Sequence, residues 1–122
     1  MLNEILCRTD SIYRAYSDGQ GICIKTHTYL EGDPINFRYV MEDDKFSKLV
    51  TPPVFTEWMA NCTGDLVKAA PAIEALAKIY GVVWDREDLA LVLRFRRNEM
   101  SVGKAIMRLQ QAVAVISALG PM

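Results

Sequence analysis

Three consecutive stretches decide the fold: Ile22-Cys23-Ile24-Lys25-Thr26-His27-Thr28-Tyr29, the turn Leu30-Glu31-Gly32-Asp33-Pro34, and Ile35-Asn36-Phe37-Arg38-Tyr39-Val40-Met41. Side chains of a strand alternate between two faces, so hydrophobicity with a period of two marks a half-buried sheet. Ile22, Ile24, Thr26 and Thr28 fall on one face, with Cys23, Lys25, His27 and Tyr29 on the other. Beyond the turn, Ile35, Phe37, Tyr39 and Met41 share a face opposite Asn36, Arg38 and Glu42. Upstream, Ile12, Arg14 and Tyr16 alternate with Tyr13 and Ala15, following a short N-terminal turn or helix. Ser17-Asp18-Gly19-Gln20-Gly21 then supplies a hairpin turn, because Asp-Gly readily takes the positive φ such loops require. The pattern predicts an antiparallel three-stranded meander with one apolar face.

Downstream the period changes. Thr51-Pro52-Pro53 reads as a helix cap followed by prolines in the first turn, where a missing N–H costs nothing. Val54, Phe55, Trp58, Met59 and Cys62 form one helical stripe. Asp65 to Ala70 reads as a turn, and Pro71 as the start of a second helix whose inner face is Ile73, Leu76, Ala77 and Tyr80, stopped at Gly81. Val82-Val83-Trp84 is a short strand, Asp85-Arg86-Glu87-Asp88 a turn, and Leu89 to Phe95 a longer strand. Its Leu89, Leu91, Leu93 and Phe95 face the core, with Ala90, Val92, Arg94 and Arg96 facing away. A last helix runs from a cap at Ser101 to Leu119, with Val102, Ile106, Leu109, Val113 and Ile116 as its seam. The expected architecture is one α+β domain spanning 1–122. An antiparallel sheet, built of the three-stranded meander and a second hairpin, packs against two or three helices, including the long C-terminal one.

The chain has 122 residues, 51% hydrophobic and 24% charged, with 14 basic and 15 acidic side chains. This is ordinary globular composition and opposes intrinsic disorder. Cys7, Cys23 and Cys62 are widely spaced and make no Cys-x-x-Cys pair, which opposes a disulfide framework or a cysteine zinc site. The N-terminus carries Glu4 and Asp10 and does not read as a secretory signal. The uncharged stretch from Leu109 to Met122 falls short of the roughly 18–20 residues that span a bilayer. A cytoplasmic protein in a reducing compartment is expected, and the glycosylation sequon Asn61-Cys62-Thr63 reads as coincidence.

Charge is unevenly spread. Glu31, Asp33, Glu42, Asp43 and Asp44 cluster against Arg38, whereas Arg94, Arg96, Arg97, Lys104 and Arg108 cluster against Glu99. Such asymmetry suggests partner-facing surfaces of opposite sign. Known chemical motifs are missing: Asp18-Gly19-Gln20-Gly21 has no third glycine and no following helix, and GxSxG, HExxH and Walker sequences are absent. His27 is the single histidine; Cys23, four residues away on the same strand face, is too far for direct hydrogen bonding. Cys62 lies on an apolar helical stripe that favours an inert thiol. Glu42-Asp43-Asp44, with Asp85, Glu87 and Asp88, reads as solvated turns rather than a cation site. Catalytic residues, cofactor and metal are therefore all expected to be absent.

The candidate partner-binding residues are Arg94, Arg96, Arg97, Lys104 and Arg108, with Glu42, Asp43 and Asp44 as an acidic counterpart. Arginines on an exposed strand face beside a helix start suit an acidic protein surface or phosphates. A sequence pI near 5.8 favours a protein partner over nucleic acid. Val113, Val115, Ile116 and Leu119 widen the apolar surface of the last helix and suggest a homodimer interface. No membrane partner is expected.

At Ile79-Tyr80-Gly81-Val82, leading into Trp84-Asp85 and the Ala105-to-Leu119 helix, the sequence resembles an uncharacterised bacterial and prophage family, number eighteen-twenty-eight among domains of unknown function. The resemblance covers Tyr16 to Leu119 in element order: hairpin, central helices, a Tyr-Gly-Val strand entry, hairpin, long helix. In that family a Leu-Thr-Asp-Asp-Gly turn precedes the central helix, where this chain has Leu49-Val50-Thr51-Pro52-Pro53. The resemblance implies a small α+β domain associated with phage or mobile elements, without established catalytic residues.

Overall fold

Six strands form one antiparallel sheet in the computed structural model, which describes residues 12–17, 21–30 and 32–122. The N-terminal turn or helix, Cys7, the Asp18-Gly19-Gln20 part of the first hairpin, and Glu31 lie outside the described residues. In chain order come β1 (Ile12–Ser17), β2 (Ile22–Leu30), β3 (Asp33–Met41), β4 (Phe46–Val50), α1 (Pro53–Thr63), α2 (Leu66–Ile79), β5 (Val83–Asp85), β6 (Ala90–Arg96) and α3 (Val102–Ile116). The sheet order is β1-β2-β3-β4-β6-β5, with every neighbouring pair antiparallel. The α+β class and the C-terminal helix are as the sequence predicts, with one strand more than expected.

That strand, β4, joins the meander to the second hairpin through its pairing with β6. Its pattern is inverted relative to a typical half-buried strand. Ser47 and Leu49 point into the core, whereas Phe46 and Val50 lie on the other face. Ser47 is fully buried and satisfied: it shares a hydrogen bond of 2.8 Å with the Tyr39 hydroxyl and accepts another from Arg97 Nη1 at 2.8 Å. Burying that hydroxyl unpaired would cost about 1–3 kcal/mol. Gly21 is required where β2 meets β3, because a Cβ there would sit 2.8 Å from the Tyr39 carbonyl oxygen.

The core lies on one face of the sheet. Ile24, Ile35, Phe37, Tyr39, Leu49, Leu91, Leu93 and Phe95 meet Phe55 and Met59 of α1, Ile73 and Ala77 of α2, and Ile106, Leu109 and Ile116 of α3. Polar ties fix the layers. Gln110 Nε2 donates to Thr28 Oγ1 (2.9 Å), and Trp58 Nε1 donates to the Ser117 carbonyl (3.2 Å). The Ser101 hydroxyl caps α3 by accepting from the Lys104 N–H, as its position suggests.

Four local expectations change. Thr51 does not cap α1; Pro52 occupies that position without a side-chain bond, and Thr51 Oγ1 instead accepts from the buried Leu91 N–H at 2.9 Å. Pro71 lies inside α2, which starts earlier because Asp65 accepts from the Val67 and Lys68 N–H groups. The proline removes one intrahelical bond in the second turn and its ring is exposed. Leu89 belongs to the β5–β6 turn with φ 54°, is exposed, and leaves Ala90 buried at the head of β6. Met41 also sits at a strand end and is exposed.

The homodimer surface is altered by the same packing. Val113 and Ile116 are fully buried in the chain's own core and Leu119 packs against it, so of the four residues only Val115 is classed as exposed. A helix that covers its own sheet spends its apolar stripe there.

Candidate partner-binding surface

Pairing of β4 with β6 brings together two charged runs about fifty residues apart. Phe46 stands opposite Arg96, and Lys48 opposite Arg94. The turn between β3 and β4 therefore lies beside the end of β6, and the acidic and basic clusters share one neighbourhood. Glu42 Oε1 accepts from Arg94 Nε at 2.8 Å. The Asp43 carboxylate accepts from the backbone N–H groups of Phe46 (2.7 Å) and Lys45 (2.8 Å). Those two bonds, with the Arg94 and Arg97 charges nearby, hold its pKa below the usual 3.8. Asp44 is exposed in the same turn.

Arg97 has a structural assignment instead of a docking one. Its Nη1 donates to the Phe46 carbonyl (2.7 Å) and to Ser47 Oγ (2.8 Å), while Nη2 donates to the Asp43 carbonyl (2.6 Å). One guanidinium thus ties the turn, β4 and the buried Tyr39–Ser47 pair together. A planar fork with several donors is suited to that task.

Arg94 and Arg96 project to the face of β6 away from the core and stack on the Phe46 ring, with guanidinium carbons 3.9 and 5.2 Å from its centroid. Arg96 also approaches Glu99 at 3.7 Å, and its Nε is buried without a hydrogen-bond partner. Lys104 and Arg108, one turn apart on α3, line a hollow of about 570 Å³ with these two arginines, Phe46 and Glu99. Four of the five predicted basic residues are therefore brought together.

The face of the sheet turned away from the helices extends this charge. Cys23, Lys25, Asn36, Arg38, Val40, Lys48, Val50, Val92, Arg94 and Arg96 occupy it by register, across β2, β3, β4 and β6. Five of these are basic, and on β5 the acidic Asp85, opposite Ala90, stands on the same face by register. Lys48 and Arg94 are direct cross-strand neighbours, a like-charge placement that costs stability in an antiparallel pair. Lys25, Arg38 and Lys48 were not among the predicted binding residues. The outward positions of β2 and β3 reveal Lys25 and Arg38 in the sequence, whereas Lys48 needs β4 to be recognised first.

Among the described residues, no group of three or more His, Cys, Asp or Glu is placed to hold a metal ion, and no helix is long and apolar enough to cross a membrane. Asp85 Oδ1 caps its own turn by accepting from the Glu87 and Asp88 N–H groups. The His27 side chain lies outside the described residues. Comparison of the chain with protein-family models, curated proteins and solved structures finds no match.

Proposed function

We propose that this chain is a non-catalytic protein-interaction module of bacterial or prophage origin, an inhibitor, immunity or regulatory protein acting through its charged surface. The observation that carries the reading is the convergence of Arg94 and Arg96 with Lys104 and Arg108 around Phe46. Two acids, Glu42 and Glu99, stand among these bases. An alternating rim of this kind complements a mixed protein surface, where charge sets partner choice and association rate. A continuous phosphate backbone would meet both carboxylates. Bases also need exposed rings on which to stack, and Phe46 is already covered by two guanidinium groups. The bacterial or prophage setting rests on the Tyr80-Gly81-Val82 segment and the element order around it.

The test is a nuclease-treated pull-down from host lysate with the double variant Arg94→Glu, Arg96→Glu beside the unchanged chain. Arg97 stays in place because it holds the β3–β4 turn. The expected result is a stoichiometric protein partner retained by the unchanged chain and lost by a variant that unfolds at a similar temperature. Equal retention by both removes the arginines from the mechanism. Capture that disappears with nuclease transfers the function to nucleic acid.

A further inference from the structure

We infer that the hollow between the end of β6 and α3 is a phosphoryl site, and that its occupant is a phosphorylated side chain of the partner protein. The inference rests on the proposed interaction function and names the group by which that partner is recognised. Charge and hydrogen-bonding capacity carry it. Arg94, Arg96, Lys104 and Arg108 line about 570 Å³ together with Glu99 and the Phe46 ring. Arg94 is already matched by Glu42 at 2.8 Å, whereas Arg96 meets Glu99 at the longer distance of 3.7 Å. Lys104 and Arg108 make no side-chain hydrogen bond or ion pair among the described residues. Four cations against two acids leave an excess of two positive charges at one place.

A phosphate monoester brings about −1.5 to −2 charges at pH 7 and three strong acceptor oxygens, which matches that excess. A carboxylate brings one charge and two oxygens. A nucleic-acid strand brings one charge per phosphate on a continuous backbone, which would meet Glu42 and Glu99 as well. The cations are also placed for a single, compact anion. Lys104 and Arg108 are four residues apart on α3, a spacing that puts two like charges side by side and weakens a helix. Arg94 and Arg96 are braced on the Phe46 ring, so little freedom is lost when they bond an oxyanion. Arg96 holds donors in reserve: its Nε is buried without a partner, and its side chain remains 39% exposed. Glu99, 70% exposed, can swing into solvent as the anion takes its place beside Arg96.

The test titrates the full isotope-labelled chain, followed by amide chemical shifts, with a peptide holding one phosphoserine and with the same peptide holding glutamate there. The phosphopeptide is expected to bind about tenfold more tightly, with shifts centred on residues 94–96 and 104–108. Lowering the pH from about 7.5 to about 5, through the second phosphate pKa near 6, should weaken phosphopeptide binding several-fold and glutamate-peptide binding little. Lys104→Gln with Arg108→Gln is expected to weaken phosphopeptide binding about tenfold, and Lys48→Gln, on the neighbouring strand, less than about twofold. Equal affinity for the two peptides, or no binding of either, overturns the inference. So does a loss through Lys48→Gln that matches the α3 pair, which spreads the site over the sheet. A pull-down from host lysate with and without phosphatase treatment then fixes the source of the group. A partner retained from untreated lysate and lost from treated lysate supports a phosphorylated side chain. A partner retained from both overturns the inference and leaves the proposed function standing, and capture of none overturns both.

Discussion

The two faces of the sheet obey different rules. Toward the helices, Ile24, Phe37, Leu49, Leu91 and Leu93 are almost completely buried, and the inward hydroxyl groups of Tyr39 and Ser47 satisfy each other. Away from the helices, valines alternate with lysine and arginine, and two cations face each other across β4 and β6. The open face accepts a like-charge opposition of Lys48 and Arg94 that a single substitution would remove. The difference separates residues that hold the fold from those that line its surface, and it places Arg97 in the first group.

The largest effect is expected on the packed face. Phe37 is fully buried, and Phe37→Ala should destabilise the fold by about 3–5 kcal/mol through lost burial and the cavity left behind. Urea unfolding followed by circular dichroism measures it. A loss similar to that of an exposed-site change would mean that the two faces do not differ as described. On the open face, Lys48→Met should shift stability by no more than about 0.5 kcal/mol, as for ordinary surface positions.

Arg97 tests the boundary between the faces. Arg97→Ala removes donors to the Phe46 and Asp43 carbonyls and to Ser47 Oγ. The expected cost is about 2 kcal/mol, because charge-assisted bonds are lost and the Tyr39–Ser47 pair loses a donor. Arg94→Ala, whose partner Glu42 is at the surface, should cost no more than about 1 kcal/mol. Equal losses in the two unfolding curves would return Arg97 to the binding surface.

Much of this arrangement is legible in the sequence, for reasons visible in particular residues. The alternation of Ile22, Ile24 and Thr26 and of Ile35, Phe37 and Tyr39 identifies β2 and β3, because each strand has one packed and one open side. Ser101 announces the start of α3 through ordinary capping chemistry. β4 escapes because its inward residues include a serine and its outward ones include a phenylalanine, so hydrophobicity points the wrong way. Pro71 misleads because the cap at Asp65, six residues earlier, outweighs one lost backbone bond. The site is half legible for the same reason. The acidic and basic runs can be read separately, whereas their meeting depends on the unrecognised β4–β6 pairing.

The smallest expected effect concerns Asp43, which anchors the turn linking the two regions. Its carboxylate accepts from the Lys45 and Phe46 N–H groups, and its pKa in the folded chain is lowered from 3.8 by those bonds first and by the nearby arginines second. A depressed folded-state pKa means that the stabilisation is fully present above the unfolded value and is lost as pH falls through the folded one. The turn should therefore be insensitive to pH from neutrality down to about pH 4, loosening only below the ordinary carboxylate range. Asp43→Asn keeps an oxygen that can accept from the same N–H groups but removes the titration and the attraction to Arg94 and Arg97. Amide exchange at Lys45 and Phe46, followed between pH 5 and pH 3 with the intrinsic exchange rate divided out, should show an acid-induced loss of protection in the unchanged chain only. Identical profiles would show that the backbone geometry, with Arg97 beneath it, holds the turn without the Asp43 charge.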